Sequence, residues 1–480
     1  MDNRKRAVWG TRLGFYFAAI GSAFGLGNVW RFPYVVTENG GGAFVLLYLF
    51  FLFLIGMPLL MAELLLGKTT RRSVVAALDR VRRPMGGKHP PLAGKAPSII
   101  VGKEPWLVRY LPVVGKVSVL VGLIVLAYFG VISGWVLYFL GHTLGALVLG
   151  QSFSPDLALS TLLENGWLQV VLTSVHLLLV IVVVAKDVED GLERWVGFMM
   201  PVFGVLMVAL ASQTLSLPTS GDALRFLFYP DFSQLTYSSM SQALGHVFFT
   251  LSIGFGSMVT FGSYLQQKAF IPIAGFRVAT IDSIISLGAG LLIFPLLLST
   301  VSGSAGPELL FRTVPVLFRE ISGGLWFGAG FFLCLYLAAL GASIGLLETV
   351  VSNLKDSQKV KREKGAWWAG FICLSLAVVP ALSTSVLSNV KVRGLGLLEI
   401  CDALLINWIL PVVALLVCQG VLYGLSDQVK RGEFIEDTEG LPNPEQDRLY
   451  GHWVFILRWV VPTVILSALA LQLIGLIRNL

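Results

Sequence analysis

Apolar stretches long enough to cross a bilayer as helices recur along the whole 480-residue chain. Eleven are separated by more polar connections, at 12–37, 42–67, 117–145, 167–185, 194–213, 238–265, 273–301, 324–352, 366–385, 396–424 and 452–477. Two of them carry residues that a spanning helix should avoid. The first holds Gly21-Ser-Ala-Phe-Gly-Leu-Gly-Asn-Val-Trp-Arg-Phe-Pro33 in its middle. Glycine weakens a helix by about 1 kcal/mol relative to alanine, and proline by about 3 kcal/mol. Backbone that leaves helical geometry at membrane depth is tolerated only where protein buries it or a water-filled cavity adjoins it. The sixth stretch repeats the device: Gly254-Phe-Gly-Ser-Met-Val-Thr-Phe261 matches Gly25-Leu-Gly-Asn-Val-Trp-Arg-Phe32 at corresponding offsets. Five spans separate the two starts, so these stretches run in opposite directions. The pattern predicts an all-α polytopic membrane protein of eleven transmembrane helices, with helices 1 and 6 broken. It divides into a first repeat at 12–213, an inverted second repeat at 238–424, and an additional helix at 452–477. Interrupted helices in corresponding positions of two halves point to a binding site at the bilayer midplane.

Composition agrees: 55% of residues are hydrophobic, 13% are charged and mean hydropathy is +0.79. The net charge of +7 is explained by its placement rather than by a nucleic-acid partner. With the N-terminus inside, 28 of the 35 Lys and Arg lie on the inner side, six lie outside, and Arg31 lies within the first span. This bias predicts a multi-pass protein of the plasma (inner) membrane with a cytoplasmic N-terminus and an outer C-terminus. The inner segment 68–116 alone holds eleven basic residues, which suits orientation and contact with anionic lipid. Its glycines and prolines between Pro84 and Pro97 predict a loop. The outer segments 214–237 and 303–323 are expected to form short helices over a vestibule. Cys334, Cys373, Cys401 and Cys418 fall in apolar segments at unrelated spacings and read as core residues. With no His/Glu metal motif and no recognisable nucleophile–base pair, the sequence does not read as an enzyme.

Charged and polar residues inside spans carry the chemistry, because each is costly without a partner or a role. Glu63, which ends the second span, Asp282, which opens the seventh, and Glu348, Asp402, Arg31 and His246 are of this kind. Arg31 and Asp402 lie toward the outer ends of their spans, and Arg6 and Asp356 lie on the inner side, so each pair is placed to form an ion pair. An unwound segment frees N–H groups for an anion and C=O groups for a cation. Gly25 to Asn28 is therefore expected to hold a carboxylate on one side and a sodium ion on the other. A hard cation prefers oxygen. The candidate oxygens are the Ala23 carbonyl, the Asn28 amide, the Thr250 hydroxyl and the Asp282 carboxylate.

These residues resemble the neurotransmitter:sodium symporter family, in its prokaryotic amino-acid transporter branch. The resemblance is carried by Trp9-Gly-Thr-Arg-Leu-Gly14, Gly25-Leu-Gly-Asn-Val-Trp-Arg-Phe-Pro33, Glu38-Asn-Gly-Gly-Gly-Ala-Phe44 and Gly56-Met-Pro58 with Glu63. It continues in Phe248-Phe-Thr-Leu-Ser-Ile-Gly-Phe-Gly256 and Phe261-Gly-Ser-Tyr264. It implies a five-plus-five inverted repeat and alternating access around a central site. It places the substrate against Ala23, Leu26, Gly27, Val125, Phe129, Phe249, Ser252, Phe255 and Leu346. The first sodium site it implies is Ala23, Asn28, Thr250 and Asp282. Arg31–Asp402 then resembles the outer gate and Arg6–Asp356 the inner one, with Trp9 beside it.

The chain departs from the family pattern in three places. The second sodium site should take two hydroxyls from helix 8, but Gly341 and Ala342 stand there, leaving the backbone oxygens of Gly21, Phe24 and Ala338. Ser343 lies one residue on, about 100° around the helix. Phe129 stands where helix 3 usually offers a tyrosine to the substrate, so Tyr128 is expected to point elsewhere. His246 replaces a glutamine near Tyr48 and Ser286 and is a candidate proton site, since histidine titrates near neutral pH. The expected function is secondary transport of an amino acid, hydrophobic or aromatic, or of a related small amine. It would be coupled to sodium at one site rather than two, with chloride not required because Asp282 supplies the negative charge. Proton-coupled or sodium-independent transport on the same fold, and a ligand sensor that no longer transports, remain the alternatives. The oligomeric state is not fixed by the sequence.

Overall fold

The structure is a computed structural model that describes residues 8–23, 27–82, 109–150, 153–298, 309–318, 321, 323–391, 395–434 and 444–478. No β-strand occurs among the described residues, and an isolated bridge pairs Gly41 with Pro230. Helix α1 is broken into α1a (Arg12–Ala23) and α1b (Gly27–Glu38), with the axes of the two pieces bent by 57°. Then follow α2 (Gly42–Thr70), α3 (Leu111–Leu149), α4 (Gly166–Ala185) and α5 (Val188–Thr214). Helix α6 is also broken, into α6a (Tyr237–Thr250) and α6b (Ser257–Ser263). The rest are α7 (Ile271–Leu297), α8 (Gly324–Gln358), α9 (Arg362–Ala381), α10 (Leu397–Gly424) and α11 (Glu445–Ile477). Among the described residues nine of these helices are long and apolar enough to cross a membrane, the bent pair α1a–α1b makes a tenth, and α6a and α6b are two shorter pieces within the sixth expected stretch, its break at Gly254 and Gly256. The polar stretch 84–97 lies outside the described residues. Both outer segments contain the expected short helices, at Ser220–Phe228 and at Leu309–Thr313 running into Val314–Leu317.

Burial sorts the helices. The apolar windows of α3 and α8 are 78% and 83% buried, whereas that of α11 is 17% buried. Helices α3 and α8, apolar all round, therefore form the centre with α1a, and α11 lies at the rim facing lipid. Two polar positions lie deeper than the apolar pattern implied. Glu63 sits inside α2 rather than at its end, and Asp282 sits inside α7 rather than opening it. Sequence hydropathy blurs such boundaries because a single carboxylate reads as an end even when neighbouring helices satisfy it.

The break in α6 shows how the backbone is satisfied at depth. Ser252, Gly254 and Gly256 adopt left-handed φ values of 51°, 86° and 78°, which glycine accepts at little cost. The freed groups of Gly254 find side chains on two other helices. Its N–H donates to Glu63 Oε1 at 2.7 Å, and its carbonyl accepts from Ser118 Oγ at 2.5 Å. The buried Glu63 thus terminates the unwound segment, as bare backbone in lipid could not.

Candidate functional site

The two breaks face one another. A Cβ on Gly27 would lie 2.6 Å from Cε1 of Phe249, so only glycine lets α1b approach that ring. Ser252, in the α6 break, donates its hydroxyl to the carbonyl of Ser22 on α1a at 2.8 Å. The broken segments are therefore joined directly, and residues flanking both contribute to one site.

On one side of the junction lies a buried oxygen cluster. Asn28 Nδ2 donates to Asp282 Oδ1 and to Ser286 Oγ, both at 2.8 Å. Tyr48 Oη donates to Asp282 Oδ2 at 3.0 Å and lies 3.1 Å from Ser286 Oγ. The Thr250 hydroxyl, which donates to the Val247 carbonyl at 3.4 Å, neighbours both Asp282 and Tyr48. Asn28, Thr250 and Asp282 are each at most 1% exposed. The remaining amide oxygen, Asn28 Oδ1, is buried without a hydrogen-bond partner. A buried acceptor left unpaired costs about 1–3 kcal/mol, so this oxygen is suited to a cation. Ala23 is the last residue of α1a. The structure thus brings Asn28, Thr250 and Asp282 together, and adds Tyr48 and Ser286.

On the other side the walls are apolar. Gly122, Val125 and Phe129 share one face of α3 by their spacing. A Cβ on Gly122 would touch Phe255 and Leu346 at 3.7–3.9 Å, so that face looks onto the α6 break and α8. Phe249 and Phe255 meet edge-on at 6.3 Å. Val125, Phe129, Ser252, Phe255 and Leu346 are all buried, and Phe249 is partly exposed. Leu26 and Phe24 lie outside the described residues.

Arg31 Nε lies 3.6 Å from Asp402 Oδ2, which brings the expected outer pair together. Tyr128 donates to the same carboxylate, at 3.0 Å from Asp402 Oδ1. Arg31 Nη2 also donates to Asn407 Oδ1 at 3.2 Å, a partner the sequence reading missed. On the inner side, Arg6 lies outside the described residues. Asp356 accepts the Ser73 N–H at 2.7 Å and lies 3.9 Å from Arg72 Nη1. Trp9 is buried, with Nε1 donating to the Phe261 carbonyl at 3.2 Å and its ring 5.8 Å from Tyr264. Tyr264 in turn donates to Glu348 Oε1 at 2.7 Å, and Glu348 is paired with Arg362. The Glu348–Arg362 pair was not foreseen, although two opposite charges flanking the end of α8 were visible.

His246 is fully buried among Phe32 and Tyr48, with ring centroids 5.6 and 5.1 Å away. Neither ring nitrogen has a hydrogen-bond partner. No carboxylate is hydrogen-bonded to it among the described residues, so the geometry lends the proton-site reading no support. Ser343 is held away from the second sodium position: its hydroxyl meets His176 Nε2 on α4 at 2.9 Å.

Two broken helices that meet, an oxygen cluster with one free acceptor, apolar side chains packed beside it and a nearby ion pair define a polytopic ion-coupled transporter. Comparison with known proteins narrows this class. The family model of the sodium:neurotransmitter symporter family matches residues 6–87 and 154–477. The chain belongs to that family. It is 32% identical over 479 residues to a sodium-dependent transporter of Bacillus subtilis, YhdH, covering 99% of this chain and 100% of the relative. A sodium-dependent transporter of Haemophilus influenzae is 28% identical over 472 residues, covering 97% of this chain and 98% of its own. The crystal structure of MhsT in complex with L-phenylalanine superposes with a TM-score of 0.84 at 32% identity, covering 97% of this chain and all of that one. The protein is a multi-pass membrane transporter and not an enzyme.

Proposed function

We propose that the protein couples inward movement of sodium to uptake of a hydrophobic or aromatic amino acid, by alternating access between repeats 12–213 and 238–424. The observation that carries this reading is the unpaired Asn28 Oδ1, on an amide whose Nδ2 donates to the buried Asp282 carboxylate, beside a set of apolar side chains. Sodium binds the oxygens of Ala23, Asn28, Thr250 and Asp282. The substrate carboxylate binds the freed amides at Leu26 and Gly27. Its side chain packs on Val125, Phe129, Phe249, Phe255 and Leu346, and Ser252 lines the break between them. Arg31 and Asp402, steadied by Tyr128, close the outer side; Trp9, Arg6 and Asp356 close the inner one. Asp282 supplies the anionic charge, so chloride is not required. The relative crystallised with L-phenylalanine supports an aromatic amino acid as substrate. The basic inner segments support an inner-membrane protein with its N-terminus in the cytoplasm and its C-terminus outside.

A thermal-shift panel tests the reading. Purified protein is heated with amino acids and amines, in sodium or potassium, at two pH values. A ligand at 100 times its dissociation constant stabilises the native state by about 2.7 kcal/mol. Phenylalanine with sodium is expected to stabilise more than either alone. Stabilisation by ligands with no effect of sodium at either pH would overturn the assignment at Asp282.

A further inference from the structure

The second sodium position of this fold does not fit sodium here. The hydroxyls are missing at Gly341 and Ala342, and the residues around them fill the space instead. A Cβ on Gly341 would lie 2.9 Å from the carbonyl oxygen of Gly21, so α8 and α1a are in backbone contact at this point. One turn along α8, a Cβ on Gly345 would lie 2.1 Å from Ser22 Oγ. On the third side stands α5. Val196 and Met200, four residues apart and so on one face, both cover Gly21. A Cβ on Gly21 would meet Val196 Cγ1 at 2.8 Å and Met200 Sδ and Cε at 3.5 Å. The same Met200 Cε would lie 3.5 Å from a Cβ on Gly341. Met200 therefore touches both helices at the place where an ion would bridge them. It is 7% exposed, and Ala338 and Ala342 on α8 are 0% and 7% exposed.

We infer that the Met200 thioether replaces the second sodium ion as the link between α1a and α8. Methionine is suited to this: it is unbranched, polarizable and fills irregular gaps. A hard cation gathers a shell of oxygens, and a thioether is a soft, weak acceptor. The Ser343 hydroxyl is bonded to His176 Nε2 on the α4 side at 2.9 Å. The carbonyl of Ser22 is taken by Ser252. The unpaired hydroxyl of Ser22 lies at Gly345 rather than at Gly341. The α1a–α5–α8 junction is thus a dry contact. Contact between α1a and α8 is then independent of sodium, and only the Asn28–Asp282 site couples the ion to substrate. This rests on the transport reading above and adds its stoichiometry.

Direct counting tests it. Equilibrium dialysis of the full-length protein with radioactive sodium and saturating phenylalanine is expected to give one sodium per chain. Two would overturn the inference and point to Ser22 Oγ as the overlooked ligand. None would uphold the dry junction while overturning the sodium assignment at Asp282, so the two proposals fail separately. A gain-of-site variant supplies the second arm. Combining Met200→Ala with Ala342→Ser removes the thioether and restores a hydroxyl without placing a Cβ against the Gly21 carbonyl; its count is expected to rise to two. A folded, phenylalanine-binding double variant that still binds one would overturn the role given to Met200. Met200→Leu, which keeps the apolar fill, is expected to bind one ion as the parent does; a second ion in that variant would also refute it.

Discussion

Asp282→Asn is the most informative single change, because it alters charge and hydrogen-bond direction while keeping shape. The carboxylate accepts from two donors, Asn28 Nδ2 at 2.8 Å and Tyr48 Oη at 3.0 Å. The new amide accepts on one side only. Either it presents NH2 to one of those donors, or Asn28 turns over so that its own oxygen accepts the new N–H. The first outcome leaves a buried donor unpaired, which costs about 1–3 kcal/mol of stability. The second consumes Asn28 Oδ1, the one oxygen now free for the cation. Sodium loses a charged ligand in both cases. Taking the value of a hydrogen bond to a charged group, about 1.5–3 kcal/mol, as the scale of that loss, sodium affinity falls roughly 10- to 150-fold. The assay is the sodium dependence of phenylalanine uptake into proteoliposomes, with the unliganded melting temperature as control for folding. Half-saturating sodium unchanged within about twofold would refute the reasoning.

Gly27→Ala pushes a methyl group into the Phe249 ring, which it would approach to 2.6 Å. Overpacking of this kind costs about 1–3 kcal/mol, so phenylalanine affinity measured by dialysis is expected to fall roughly 5- to 150-fold. Tyr128→Phe removes the hydroxyl that steadies Asp402 at 3.0 Å. Substrate release to the outer side, followed as efflux of preloaded label, is expected to quicken several-fold, whereas equilibrium sodium binding stays unchanged. His246→Gln is expected to leave the pH profile of uptake unaltered between roughly pH 6 and 8, the range in which histidine titrates. A flattened profile would restore His246 as a proton site.

The broken helices were legible because glycine and proline violate helix propensity in a stretch too apolar to be a loop. The set Asn28, Thr250 and Asp282 followed from oxygen chemistry and family resemblance, and the structure places these side chains together. Tyr48 and Ser286 were visible only as neighbours in the same region. Their hydrogen bonds to the cluster depend on how α2 and α7 pack, which no local pattern encodes. Depth was the weaker point: Glu63 and Asp282 read as helix ends, yet both lie inside helices because Gly254 and Asn28 satisfy them. Met200 was illegible for a different reason. A methionine in an apolar helix reads as filler, and its significance arises only where Gly21 and Gly341 leave a gap between two other helices. Likewise, His176 gave no sign that it would hold Ser343.

The central claim is that this site couples sodium to movement of a hydrophobic amino acid. Proteoliposomes containing the purified protein, given labelled phenylalanine and an inward sodium gradient, test it most directly. The account predicts accumulation above the outside concentration that collapses when the gradient is dissipated, with chloride replaced by gluconate throughout. Uptake that is identical in potassium, or binding without any accumulation or counterflow, would contradict it.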